Sequence, residues 1–262
     1  MDVYNSKDKR VCVHVPYNKL REHIDLIVDK KLNLEILFNA NSLDNIREVD
    51  IFHLKEKLDY SPLITFHAPF IDLHPGSMDS LIRIATRERF DQILKISRLL
   101  NPSGIVFHPG VNKWAQDDYI QEKWLKDSID FWRSFLKEAI KHNIRIAIEN
   151  VFDDSPRYLS RLIKAVNSPS FGFCLDIGHF NLFSKVLLDE WFEDLKENII
   201  EVHLHDNMGK EDDHLGIGEG EIDFDLLFSL LDRYNITPIY TIEGHSRESI
   251  EKSLINIKRY IN

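Results

Sequence analysis

Eight short apolar, β-branched runs punctuate this chain, and a stretch of helical spacing follows each of them. The runs are VCVHVP (11–16), LNLEILF (32–38), LITFHAP (63–69), GIVFHPG (104–110), IRIAIEN (144–150), FGFCLDIGH (171–179), IIEVHLHDN (199–207) and PIYTIEG (238–244). Amphipathic segments such as 79–100 and 127–143 lie between them, and 246–262 closes the chain as a helix. Strands that read as continuous buried runs, each followed by a helix, imply a parallel sheet. Eight such units in 262 residues predict an α/β fold, a single (β/α)8 barrel that spans residues 1–262 as one domain. An open doubly wound sheet is the competing arrangement, and it must hide eight strands without closure. No Pro- or Gly-rich linker interrupts the alternation.

Composition narrows the partners. The 33 basic and 43 acidic side chains give a formal charge of -10, which argues against gripping nucleic acid by bulk electrostatics. No apolar stretch reaches the roughly 18 residues that a membrane helix needs. The N-terminal MDVYNSKDKR is polar and lacks the apolar core of a secretory signal. Cys12 and Cys174 each sit inside an apolar run, so a reduced, cytoplasmic setting is expected rather than a disulfide framework. A homo-oligomer is compatible with this composition.

A barrel of this kind carries its chemistry at the C-terminal ends of its strands. There the chain places His67, His108, Glu149, Asp176, His179, His203 and Glu243, and the loop after the seventh run adds Asp212 and His214. Each alone has a bland reading: a His before Pro is often a hydrogen-bonded strand end, and a Glu caps a helix. Together, carboxylates and imidazoles buried at one mouth would leave unpaired charge unless metal ions neutralise it. Mixed imidazole and carboxylate ligands without thiolate suit zinc, manganese, iron or cobalt. Glu149, Asp176, His203 and Glu243 suffice for one divalent ion with open positions. The remaining candidates point to a second or third metal ion, or to substrate contacts.

The segments HAP, FHPG, IEN, DIGH, VHLHD, DDHLGIGEG and IEG, in this order, resemble the xylose isomerase-like and endonuclease IV superfamily of TIM barrels. In its sugar isomerases and epimerases, the resemblance implies one ion on Glu149, Asp176, His203 and Glu243. The two glutamates would then flank the reacting carbon as acid and base. In its nucleases it implies a trinuclear zinc cluster, with Glu149 bridging and His67, His108, His179, Asp212 and His214 added. Where nuclease sequences read HLND, this chain reads HLHDN, and ENVFDDSP replaces their small turn after Asn-Thr. DIGH and GEGEIDF resemble the isomerase side. The expectation is therefore a divalent-metal-dependent isomerase or epimerase of a small-molecule sugar or sugar phosphate, with zinc or manganese as cofactor, one to three ions per chain. The alternative is an endonuclease IV-like phosphodiesterase acting on abasic DNA, and a barrel that binds without turnover is the third class.

Substrate contacts are expected from His14 and Glu35 on the first two strands, from Phe70 after the third, and from Lys210. The bland reading of His14 and Glu35 is a satisfied core pair. Arg157, His245 and Arg247 on mouth loops are further candidates for holding a phosphate or sugar acid. His205 is expected to point away from the barrel axis. The glycines of LGIGEGEI lack the Lys-Ser/Thr of a phosphate-cradling loop.

Overall fold

The computed structural model describes residues 10–111 and 117–261. Residues 1–9, 112–116 and 262, the last of them the end of the helix expected from the sequence, lie outside the described residues. Eight parallel strands form a closed barrel in chain order: β1 Val11–Pro16, β2 Asn33–Leu37, β3 Ile64–His67, β4 Gly104–Phe107, β5 Arg145–Glu149, β6 Phe171–Asp176, β7 Ile199–Leu204 and β8 Ile239–Ile242. β1 pairs with β8 through Val13 and Ile242, which closes the ring and leaves no open edge.

The runs fold as strands because they are buried on both faces. Every residue of β3, β4 and β6 is buried, as expected where helices cover a parallel sheet. The outer core is largely aromatic on one side: Phe107 of β4 meets Phe90 at 4.6 Å and Trp132 at 5.3 Å between ring centroids. Those two rings come from the long helices Ser80–Leu100 and Asp118–Ile140. Asp79 and Asp117 cap these helices by accepting from Leu81 N–H and Tyr119 N–H, an interaction worth about 1 kcal/mol each.

Several element boundaries depart from the sequence reading. The helix expected over 127–143 begins at Asp118, because Asp117 supplies an N-cap well upstream of the apolar periodicity. The closing helix is divided at Ile257 into Arg247–Asn256 and Lys258–Ile261. Two short helices rather than one follow both β2 and β6. No helix among the described residues is long and apolar enough to cross a membrane.

The barrel interior is unusually polar for this architecture, whose centre is ordinarily filled by branched aliphatic side chains. Glu201 of β7 accepts from Thr241 Oγ1 at 2.6 Å and, across the barrel, from Thr65 Oγ1 at 3.3 Å. Burial and the nearby Glu35 carboxylate push Glu201 up to about 8. Cys12 and Cys174 are buried free thiols.

Candidate metal centre

Strand register brings the candidate ligands together. Asp176, the last residue of β6, lies beside His203 of β7. Glu243 continues the sheet past β8 by donating its N–H to Leu204 O. Asp176 also caps helix Ile177–Phe183, accepting from His179 N–H at 2.6 Å. Asn150 then ties the end of β5 to that of β6. Its side chain donates to Asp176 O and accepts from Asp176 N–H, while its own carbonyl meets His179 Nδ1 at 3.0 Å.

At the centre is His203 Nδ1. Glu243 Oε1 lies 3.3 Å from it, and Glu149 Oε2 and Asp176 Oδ2 each lie 3.8 Å away. The nitrogen is buried and has no hydrogen-bond partner among the described residues. Ligand atoms about 2.0–2.2 Å from one ion lie roughly 3–4 Å from each other, and each of these three nitrogen-to-oxygen separations falls in that range. The electrostatics agree. Burial alone would push Glu149 and Glu243 up, yet the surrounding imidazoles, His108 and then His203 at Glu149, His203 and then His14 at Glu243, hold both well below the usual carboxylate range. Burial opposes a charge on His203, yet its anionic neighbours raise it well above the ordinary value. That proton is the charge a cation would replace.

Two further groups adjoin this one. Glu149 Oε2 lies 3.1 Å from His67 Nε2 and 3.3 Å from His108 Nε2. Asp212 Oδ2 lies 3.4 Å from His179 Nε2 and 3.2 Å from His214 Nε2. His179 Nδ1, 3.1 Å from Glu149 Oε1, links the two groups. The seven strand-end candidates and the two on the following loop are therefore joined by a continuous set of contacts.

The other candidates divide. His14 lines the mouth, with Nδ1 at 2.8 Å from Glu35 and 3.0 Å from Glu243. Burial opposes its charge, but the two carboxylates push it up to about 10. Phe70 stacks on His108 with centroids 4.2 Å apart. Glu35 is fully buried and does not line the mouth, and both of its oxygens are engaged by imidazoles. Lys210 is exposed on its loop and outside the lining. Arg157 and Arg247 also lie outside it, facing Asp118 and Glu251, whereas His245 lines it.

His205 does not point away from the site. Residues two apart on a strand share a face, so His203 and His205 project to the same side. The His205 ring is fully buried, with Nε2 3.1 and 3.2 Å from the oxygens of Asp176. It stacks on His214 at 3.9 Å, which stacks on His245 at 4.0 Å. A Cβ on residue 178 would overlap this ring, so Gly178 of DIGH makes room for it. The period of two and that glycine were the signals in the sequence.

The glycine-rich stretch after His214 serves Asp206, whose carboxylate accepts from the N–H groups of Asn207, Gly218, Gly220 and Ile222. The resulting turn holds Gly218 at φ +83°. These amides face a carboxylate of the chain itself, which leaves them unavailable to phosphate.

Above the ligands opens a cavity of about 490 Å³. Glu149, Glu243, Asp212 and most of the histidines described line it, whereas Asp176, His203 and His205 do not, and Leu37, Leu73, Val111, Phe152 and Phe183 supply an apolar wall. That volume suits a small molecule rather than a macromolecular segment.

Comparison with known proteins places this architecture. A family model described as xylose isomerase-like TIM barrel matches residues 33–260. The uncharacterized protein MJ1311 of Methanocaldococcus jannaschii is 32% identical over 222 residues, covering 81% of this chain and 75% of its own length. Among solved structures, a D-tagatose 3-epimerase-like protein is 28% identical, with a TM-score of 0.84 and 96% of both chains covered. A Thermus thermophilus protein soaked with zinc chloride shares the fold at 21% identity, with a TM-score of 0.82 and coverage of 96% of this chain and 97% of its own.

Proposed function

Because the chain belongs to the xylose isomerase-like TIM-barrel family, we propose that it is a divalent-metal-dependent isomerase or epimerase of a sugar or sugar phosphate. The observation that carries this reading is the buried His203 Nδ1, unpartnered among the described residues, facing Glu149, Asp176 and Glu243 under a cavity of sugar size. Likeness to a D-tagatose 3-epimerase-like protein supports the substrate class.

Glu149, Asp176, His203 and Glu243 would hold the ion, zinc or manganese. When bound, it supplies Lewis-acid polarisation of adjacent substrate oxygens, which acidifies the C–H between them. The chain's own groups handle the proton. Glu243 takes it as a carboxylate whose charge is favoured by His203 and then by His14, whose Nδ1 lies 3.0 Å from its Oε1. Glu149 would return a proton to the other face after first receiving one from an adjoining imidazole of His67, His108 or His179, and Glu243 would afterwards release the abstracted proton to solvent. A positioned acid–base group of this kind contributes about 100- to 10,000-fold. Leu37, Phe152 and Phe183 would offer the carbon skeleton of the substrate an apolar wall.

A second reading has its own observation. His67 and His108 converge on Glu149 Oε2, and Asp212 lies between His179 and His214, as three ions bridged by carboxylates would require. Under that reading the chain is a phosphodiesterase of the endonuclease IV type. Metal counting by native mass spectrometry on protein purified without chelators separates the two. Close to one ion per chain, exchangeable for manganese, is expected for the isomerase. Close to three tightly held zinc ions, together with metal-dependent incision of abasic DNA, would replace it with the nuclease.

A further inference from the structure

Glu35 is a buried carboxylate to which the proposed reaction gives no task. Its Oε1 lies 2.8 Å from His14 Nδ1 and its Oε2 3.2 Å from His203 Nε2. An ionised carboxylate only accepts hydrogen bonds, so both ring nitrogens must turn a proton towards it. In a neutral imidazole, a proton on Nε2 leaves the lone pair on Nδ1. His203 Nδ1 is the atom that faces Glu243, Glu149 and Asp176. Glu201 lies within 4.8 Å of Glu35 and His203, but its hydrogen bonds come from Thr241 and Thr65.

We propose that Glu35 is a positioning residue: it fixes the His203 proton on Nε2, aims Nδ1 at a divalent cation held with Glu149, Asp176 and Glu243, and steadies His14 against Glu243. The inference rests on the metal-binding part of the proposed function and is independent of the sugar chemistry. A carboxylate behind a ligating imidazole fixes its tautomer and raises its basicity, and its loss typically costs 10- to 100-fold in metal affinity. Both faces of the His203 ring edge are thereby assigned. The metal is on Nδ1 and the supporting carboxylate on Nε2.

The test is made on the whole chain loaded with zinc, by histidine-selective ¹⁵N NMR and by zinc titration against a competing chelator. In the wild type, His203 is expected to carry its proton on Nε2 and to show the metal-induced shift on Nδ1. Glu35→Leu is expected to lower zinc affinity about 10- to 100-fold and to lose the single tautomer. Glu35→Gln, which keeps one acceptor oxygen, is expected to fall between Leu and wild type. Zinc on Nε2 in the wild type, or a folded Glu35→Leu that binds zinc with wild-type affinity, overturns the proposal. If Glu35→Leu does not fold, the wild-type spectrum and the Glu35→Gln affinity decide, and unchanged affinity for Gln with a proton on Nδ1 again overturns it. A wild type that binds no divalent ion defeats both this inference and the metal-dependent reading. One that binds zinc through Nδ1 but leaves every sugar unchanged defeats the epimerase reading alone.

Discussion

At the scale of single residues, the site is a set of paired constraints. The His205 ring occupies the space that a side chain on residue 178 would need, so Gly178→Ala forces either the ring or the backbone to move. Overpacking of this kind costs about 1–3 kcal/mol, and His205 also braces Asp176. Gly178→Ala should therefore lower the denaturation midpoint in urea, and adding His205→Ala should recover a large part of the loss, because the double change removes the clash. Equal losses for the single and double variants would show that the glycine answers to something else. His205 was within reach of the sequence, since strand period places it on the same face as His203. Glu35 was less so: its inward register at β2 was legible, but nothing in the local sequence shows that His203, three strands away around the ring, reaches it.

At the scale of elements, the loop bearing Asp212 and His214 owes its shape to one carboxylate. Asp206 accepts four backbone N–H groups. Asp206→Ala would leave them without an acceptor, at a cost of about 1–3 kcal/mol for each that stays buried. The expected result is faster amide hydrogen exchange across 206–222 and weaker zinc binding, and unchanged exchange there would contradict it. β7 makes a separate, pH-dependent prediction. Glu201 sits at about 8 in the fold, through burial and then Glu35, against an ordinary 4.5. The folded state thus holds a proton that the unfolded chain has released between about pH 4.5 and 8, so this group's contribution to stability falls as pH rises through that window. Glu201→Gln, permanently neutral, should flatten the decline between pH 5 and 8. A parallel slope in the variant would place the titration elsewhere. Strands were the most legible elements, because runs buried on both faces announce themselves. Helix limits were not, since Asp117 begins the helix Asp118–Ile140 upstream of the periodicity that marks it.

At the scale of the whole molecule, closure of the ring carries residues far apart in sequence to one mouth, from His14 to Glu243. The order of strand-end motifs made the barrel and the ligand candidates readable, because each sits at a fixed place in a repeating unit. What the repeat could not supply is which residues line the cavity. Glu35 is buried without lining it and Lys210 stands outside it, a distinction set by strand register and loop path rather than by residue type. The account's central claim is metal-dependent proton transfer by Glu149 and Glu243. Its most direct test is deuterium uptake at carbon, by NMR or mass spectrometry, when ketoses and sugar phosphates are incubated with manganese- or zinc-loaded protein in deuterated water. The account predicts that at least one sugar exchanges the C–H next to its carbonyl. Exchange should stop on metal removal and fall about 100-fold or more in Glu149→Gln and Glu243→Gln, with metal content falling less. No exchange in any sugar of a broad panel, while the same metal-loaded protein cleaves phosphodiesters, would contradict it.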